Sequence, residues 1–228
     1  MCGRYSLTSP PEAMRRLFGL DTTPNLPPRY NIAPTQLAPV VRLVSAATKR
    51  ELVSLRWGLV PPWAKDRSIG ARLINARGDT VHEKPSFRAA FRQRRCLVVA
   101  DGFYEWRAEG KVKQPMRVTL KDGGPFAFAG LWERYEKGPE GPLESFAIIT
   151  TDAAALIAPI HDRMPVMLDA ADHESWLDPA APPDRLSALL QPFPSERLHV
   201  YAVSPRVNAV RNDDEACVAP LVQQADLF

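Results

Sequence analysis

The sequence predicts an α+β fold, with a central, largely antiparallel, barrel-like β-sheet flanked by short helices, in one domain over residues 2–222. Three observations lead there. Six short apolar runs rich in β-branched and aromatic residues follow one another from residue 96 onward. Turn residues such as Lys121-Asp122-Gly123-Gly124 separate them, as expected of hairpins. No regular strand–helix–strand rhythm of the kind that builds a parallel sheet runs through the chain. At 228 residues there is room for one sizeable core.

In chain order, Thr8-Ser9-Pro10-Pro11 followed by Met14, Leu17 and Phe18 predicts a short capped helix, with prolines tolerated in its first turn. Residues 39–44 and 51–57 read as strands joined by a polar turn. Residues 85–94 carry Phe87 and Phe91 four apart, the mark of a short amphipathic helix. The six later runs, residues 96–100, 116–120, 126–131, 146–150, 164–168 and 198–203, read as strands. Two more short helices are expected over residues 171–177 and 184–190.

Composition excludes several classes. No stretch approaches the roughly 20 apolar residues of a membrane span, and the N-terminus lacks the apolar and basic regions of a secretory signal. The three cysteines, Cys2, Cys96 and Cys217, form neither a disulfide framework nor a metal-site spacing, so a reducing cytoplasmic compartment and no metal or cofactor are expected. Cys96, inside an apolar run, reads as buried. The net charge of +3 hides an asymmetry: residues 1–100 hold 17 Lys+Arg against 6 Asp+Glu, and the remainder 12 against 20. Most of the cations are arginine, which suits bidentate phosphate contacts. Charge alone favours ion pairs between the two halves; a polyanion partner is the alternative.

Cys2 is the residue from which chemistry follows. Removal of Met1 would leave a free α-amine and a thiol on adjacent carbons. Their reference pKa values, about 7.7–8.0 and about 8.5, leave each partly nucleophilic near neutral pH. Such a 1,2-aminothiol condenses with an aldehyde to an imine, which the thiol closes into a thiazolidine.

Polar and aromatic blocks lie between the predicted strands. They are Met1-Cys2-Gly3-Arg4-Tyr5, Arg29-Tyr30-Asn31-Ile32-Ala33-Pro34-Thr35, Arg56-Trp57-Gly58-Leu59-Val60-Pro61-Pro62-Trp63 and Ile74-Asn75-Ala76-Arg77. Further on come Ala100-Asp101-Gly102-Phe103-Tyr104-Glu105-Trp106, Ala129-Gly130-Leu131-Trp132, and Thr150-Thr151 leading to Ile160-His161-Asp162-Arg163-Met164-Pro165. In this order the blocks resemble the SRAP family, the SOS-response-associated peptidases understood as abasic-site-processing proteins, from Cys2 to about Asn212. The resemblance implies the α+β barrel-like fold and a basic groove for single-stranded DNA. It further implies a covalent crosslink to abasic sites through Cys2, imine then thiazolidine, that shields the lesion from strand cleavage.

The resemblance also implies roles. Cys2, Asn75, Glu105 and His161 match the catalytic residues: Glu105 and His161 would move protons, and the Asn75 amide would orient the N-terminus and the sugar. Arg4, Asn31, Pro34, Trp63, Arg77, Thr150 and Arg163 match DNA-binding positions, with structural ion pairs as the alternative for Arg4 and Arg163. Trp106 and Trp132 read as core walls. Some relatives carry a second tryptophan after the one matching Trp63, where this chain has Ala64, which puts strand wedging at a duplex junction in doubt. The implied partner is single-stranded DNA containing abasic sites, bound by a monomer near the nucleoid, with replication-fork proteins as further candidates. Two other readings stay open: an N-terminal-cysteine hydrolase of the class II glutamine amidotransferase type, which also exposes Cys-Gly, and a passive single-stranded DNA binder. Self-cleavage that exposes Cys2 is compatible with the main reading.

Overall fold

Five strands close on themselves: β3 (Leu37–Leu43), β4 (Arg50–Trp57), β6 (Arg95–Ala100), β9 (Phe126–Tyr135) and β10 (Leu143–Asp152), in the ring order β4–β3–β6–β9–β10 and back to β4. The structure is a computed structural model and describes residues 2–44, 49–138 and 140–221. Every ladder of the ring is antiparallel except β10–β4, which runs parallel at Ser145↔Arg56 and Phe146↔Trp57. The interior is filled by Trp57, Val98, Phe128 and Phe146, all fully buried. At Gly130 a Cβ would lie 2.7 Å from Val98 Cγ2 and 2.8 Å from Cys96 Sγ, so only glycine permits this close approach of neighbouring strands.

A second sheet lies beside the ring, in the order β13–β8–β7–β1–β2. It comprises β1 (Tyr5–Leu7), β2 (Arg29–Ile32), β7 (Gly102–Glu109), β8 (Val112–Leu120) and β13 (Leu198–Ala202). The chain passes from β6 to β7 through Asp101 alone, which ties the two sheets together. The barrel-like, largely antiparallel α+β architecture is as the sequence predicts.

The short strand β5 (Asn75–Arg77) adds to β10 in parallel, Ile148↔Asn75 to Thr150↔Arg77. On the other edge, β9 and β10 part beyond Ile148↔Gly130. Into the gap runs residues 163–168, split into β11 (Arg163–Pro165) on β10 and β12 (Met167–Leu168) on β9. Val166 is the switch: its N–H donates to Ile149 O and its carbonyl accepts from Ala129 N. The single strand expected over residues 164–168 is therefore two, because the segment changes partner.

The helices are short: α1 (Pro11–Phe18), α2 (Arg88–Gln93), α3 (His173–Leu177) and α4 (Pro183–Ala188). In α1, Pro11 sits in the first turn, where its missing N–H has no helical partner to lose, and Met14 and Phe18 face the core. The helix expected over residues 85–94 begins only at Arg88; residues 80–87 are consecutive turns. Much of the turn expected between β3 and β4 lies outside the described residues. No helix among the described residues is long and apolar enough to cross a membrane.

The main departure concerns the motif blocks, which the sequence places between strands. Several of them are strands: β1, β2, β5 and much of β7. Their side chains mix buried, half-buried and exposed positions, and β1 and β5 are three residues long. A period of two has no length over which to become visible.

Candidate active site and nucleic-acid interface

β1 carries the N-terminal residues to the site. It pairs antiparallel with β7, Tyr5↔Phe103 and Ser6↔Gly102, and Tyr104 N–H donates to Arg4 O at 3.0 Å. Continuing that register sets Gly3 opposite Glu105, with Cys2 one step beyond. The register is held by a buried polar hub. Asp101 Oδ1 accepts from Ser6 Oγ at 2.7 Å and Arg117 Nη2 at 3.0 Å. Its Oδ2 accepts from Thr8 N, and from Ser9 N at 2.7 Å. Arg117 lies across the backbone of Gly102, where a Cβ would come within 2.7 Å of its Nε. Neither Arg117 nor this use of Asp101 is legible in the sequence, where the two residues lie 16 apart.

Cys2 is fully buried, its Sγ 3.8 Å from Arg4 O. Burial, and then the Glu105 charge, push its thiol well above the ordinary range, so it rests protonated. Asn75, on β5, donates from Nδ2 to Cys2 O at 2.8 Å. Its buried Oδ1 has no hydrogen-bond partner among the described residues. Glu105 is 3% exposed, and burial pushes its carboxyl up, opposed by the positive charges of the amino terminus and of His161. His161 closes the turn after Ile157, its N–H donating to Ile157 O at 3.0 Å. Its Nδ1 accepts from Arg163 N at 3.0 Å and lies 2.7 Å from Asp162 Oδ1. Cys2, Asn75, Glu105 and His161, drawn from four separate segments, are thus linked by hydrogen bond or by charge.

The predicted DNA-contact residues divide into two groups. Trp63 is 52% exposed, its Nε1 donating to Pro85 O at 3.4 Å. Arg77 is exposed and forms a two-point pair with Asp79, at 3.1 and 2.7 Å. Because β5 is extended, Arg77 and Asn75 share a face. Pro34 is half-buried beside Thr35, whose φ is 72° and whose N–H donates to Trp57 O at 2.8 Å.

The second group is held inside. Asn31 is fully buried and donates from Nδ2 to the carbonyls of Val207, Ala209 and Asn212, at 3.1, 3.2 and 2.6 Å. Arg4 Nη1 donates to Asn31 Oδ1 at 2.8 Å and Val207 O at 2.7 Å. Thr150 is fully buried, and Arg163 Nη2 donates to its carbonyl at 2.6 Å while Nη1 pairs with Asp152 at 2.7 Å. Together Arg4 and Asn31 clamp the segment 207–212 onto β1 and β2. Trp106 and Trp132 are half-buried: Trp106 donates to Asn208 Oδ1 at 2.8 Å, and Trp132 carries the Arg42 guanidinium 4.2 Å above its ring. Ala64 is buried against Val60 and Tyr135, so a tryptophan there would have to displace this small cluster.

Part of the charge asymmetry is answered internally. Arg29–Asp213, Arg42–Glu144, Arg67–Glu140 and Arg94–Glu133 all join the basic half to the acidic half.

Comparison with known proteins follows the same lines. The sequence model of the SOS response associated peptidase (SRAP) family matches residues 1–210. Abasic site processing protein YoqW of Bacillus subtilis is 43% identical over 220 residues, covering 93% of this chain and 96% of that protein. Abasic site processing protein HMCES of Gallus gallus is 34% identical over 225 residues, covering 85% of this chain and 66% of the relative. A crystal structure of a protein from Bacteroides thetaiotaomicron superposes with a TM-score of 0.85 at 28% identity, over 97% of this chain and all of that one. The chain, by this match along nearly its whole length and by the fold it shares, belongs to the SRAP family.

Proposed function

We propose that this protein processes abasic sites in single-stranded DNA by forming a covalent crosslink through Cys2 once Met1 has been removed. The observation that carries the reading is the convergence of Asn75, Glu105 and His161 on the Cys2 segment. The names of the relatives YoqW and HMCES lend it support.

The chemistry runs in two bond-forming steps. The Cys2 α-amine adds to C1′ of the open-chain aldehyde, and loss of the carbonyl oxygen as water leaves an imine. The thiol sulfur then adds to the same carbon and its proton passes to nitrogen, closing the thiazolidine. A thiol held protonated by burial and by Glu105 reacts second, after the amine. Glu105, with its carboxyl raised, exchanges protons with the amine, the sugar oxygen and the thiol. His161, linked by charge to Glu105, moves protons in the steps that protonate the leaving oxygen or hydrate the imine. Asn75 fixes the nucleophile through Cys2 O and turns an open acceptor toward the amine or the sugar hydroxyl. Trp63, Pro34 and Arg77 take the bases and a phosphate beside the lesion, while Arg4, Asn31, Thr150 and Arg163 hold the walls of the groove. The Arg77–Asp79 pair is exposed and therefore weak, so a phosphate can displace Asp79.

The test is to incubate the protein with an abasic oligonucleotide and run a denaturing gel. A heat-stable band is expected, with a mass one water short of the sum of its parts, and it should vanish in Cys2→Ala. A tagged chain with a blocked N-terminus that still forms the band overturns the mechanism. Binding with no adduct from the processed chain reduces the protein to a passive binder.

A further inference from the structure

We propose that Lys84, Arg88 and Arg92 form a basic stripe that carries the phosphodiester backbone of the DNA strand onward from the lesion. The inference rests on the reading above, since it extends the path of the same strand.

Between Lys84 and Ala100 the sequence holds five cations and no Asp or Glu. The structure puts two of the five to internal use. Arg94 pairs with Glu133 at 2.7 Å, and Arg95 is buried, donating to the carbonyls of Phe91, Arg92, Trp176 and Asp178. The other three point outward. The turn before α2 and α2 itself bury Phe87, Ala90 and Phe91, with Phe91 packed on Trp176, and leave Lys84, Arg88 and Arg92 exposed. None of these three has an ion pair among the described residues. Arg88 and Arg92, four apart, share one face of α2 with a step of about 6 Å along its axis, and Lys84 lies just before them, its carbonyl accepting from Arg88 N at 2.9 Å. That interval suits neighbouring phosphates of an extended single strand.

The stripe begins where the candidate site ends. From Arg77 the backbone advances turn by turn, Thr80 N to Arg77 O at 3.2 Å, Lys84 N to Thr80 O at 3.0 Å and Arg88 N to Lys84 O at 2.9 Å. Trp63 is seated on Pro85 O, at the head of the stripe. An exposed arginine, an exposed indole and three cations without an ion pair among the described residues thus follow one another, with Glu83 beside Lys84 turned to His82 at 3.4 Å. A single-stranded polyanion complements that sequence of groups, with the ring for a base and the cations for successive phosphates.

The experiment uses the full chain with Lys84→Gln, Arg88→Gln and Arg92→Gln combined. All three are surface changes, and an unchanged urea midpoint verifies the fold. Binding is followed by fluorescence anisotropy at several salt concentrations, using oligonucleotides with a tetrahydrofuran abasic analogue. One oligonucleotide has about two nucleotides on each side of the analogue; the others extend by about ten on the 5′ side, the 3′ side or both. On extended DNA the variant should lose about 2 from the slope of log K against log salt and bind about 100-fold more weakly at about 0.1 M salt. The short oligonucleotide should bind both proteins alike, and a single extended side should account for the whole loss. An unchanged slope on extended DNA, or an equal loss on short and extended DNA, overturns the stripe. So does a loss divided evenly between the two sides. Failure of the wild type to form an adduct with a short, true abasic oligonucleotide would instead overturn the underlying function, so the two failures are distinct.

Discussion

Glu105 and Cys2 define the residue-scale problem: a carboxyl and a thiol are both removed from water, and in the proposed mechanism each moves a proton. Glu105 lies inside β7 with its pKa raised by burial. A base of this kind loses its ionised form at a higher pH than an ordinary carboxylate, so the rate of adduct formation should rise with pH through that shifted value. In Glu105→Gln this limb should disappear and the rate fall by about 10²-fold or more, since general acid–base assistance is worth about 10²–10⁴. His161→Ala should act mainly on release of a finished adduct. Single-turnover formation and release rates between about pH 5.5 and 8 read both effects. Wild-type profiles from both variants, with folding intact, would leave Cys2 as the sole chemical group. Glu105 and His161 stood out in the sequence because they match site positions of the family that the motif blocks resemble. The internal roles of Asn31 and Thr150 were not legible there, because a sequence shows that an amide or hydroxyl is present but not whether backbone carbonyls surround it.

At the scale of elements, the pairing of β1 with β7 decides the site. The pairs Tyr5↔Phe103 and Ser6↔Gly102, with one further hydrogen bond, set Gly3 opposite Glu105 and Cys2 one step beyond, and the Asp101–Arg117–Ser6 hub keeps that register. Asp101→Asn would turn an amide donor toward groups that already donate, and would leave Arg117 buried without its counter-charge. Breaking a buried pair in this way costs about 3–5 kcal/mol, to be read from urea unfolding. The β1 strand should then shift against β7, so adduct formation should slow more than affinity for an abasic analogue declines. Equal losses in rate and affinity would make the hub a stability feature only. This arrangement could not be derived from the sequence, because three-residue strands have no measurable periodicity and Arg117 is 16 residues from Asp101. The long apolar strands of the ring, by contrast, were all visible in the sequence.

The whole molecule adds a pH dependence located away from the site. His173, the first residue of α3, is buried and stacked on Phe18 with ring centroids 5.5 Å apart. Burial first, then the Arg50 charge, lower its pKa to about 4, against weaker opposition from Asp169. Between that value and the ordinary one of 6.5 the unfolded chain binds the proton and the folded chain does not. Stability should therefore fall as pH drops through this window, by about 3 kcal/mol in all. Unfolding free energies from urea titrations of wild type and His173→Phe should differ in their change between pH 7 and pH 4 by about that amount, with the variant the less sensitive; parallel profiles would remove His173 as the cause.

The sequence by itself determined the fold class, the presence of the long strands of the ring, the motif blocks that mark the family and the charge asymmetry. These depend on local patterns: side-chain period, turn chemistry and the rarity of particular residue neighbours. Only the tertiary structure decided the rest. It turned the motif blocks into strands and split residues 163–168 between two partners. It paired four arginines of the basic half with acids of the other half and left Lys84, Arg88 and Arg92 facing outward while Arg94 and Arg95 were drawn in. The reason is physical. Whether a charge meets water, a carboxylate or a ring of carbonyls depends on which distant segment packs over it, and closure of the sheet, not local sequence, sets that packing.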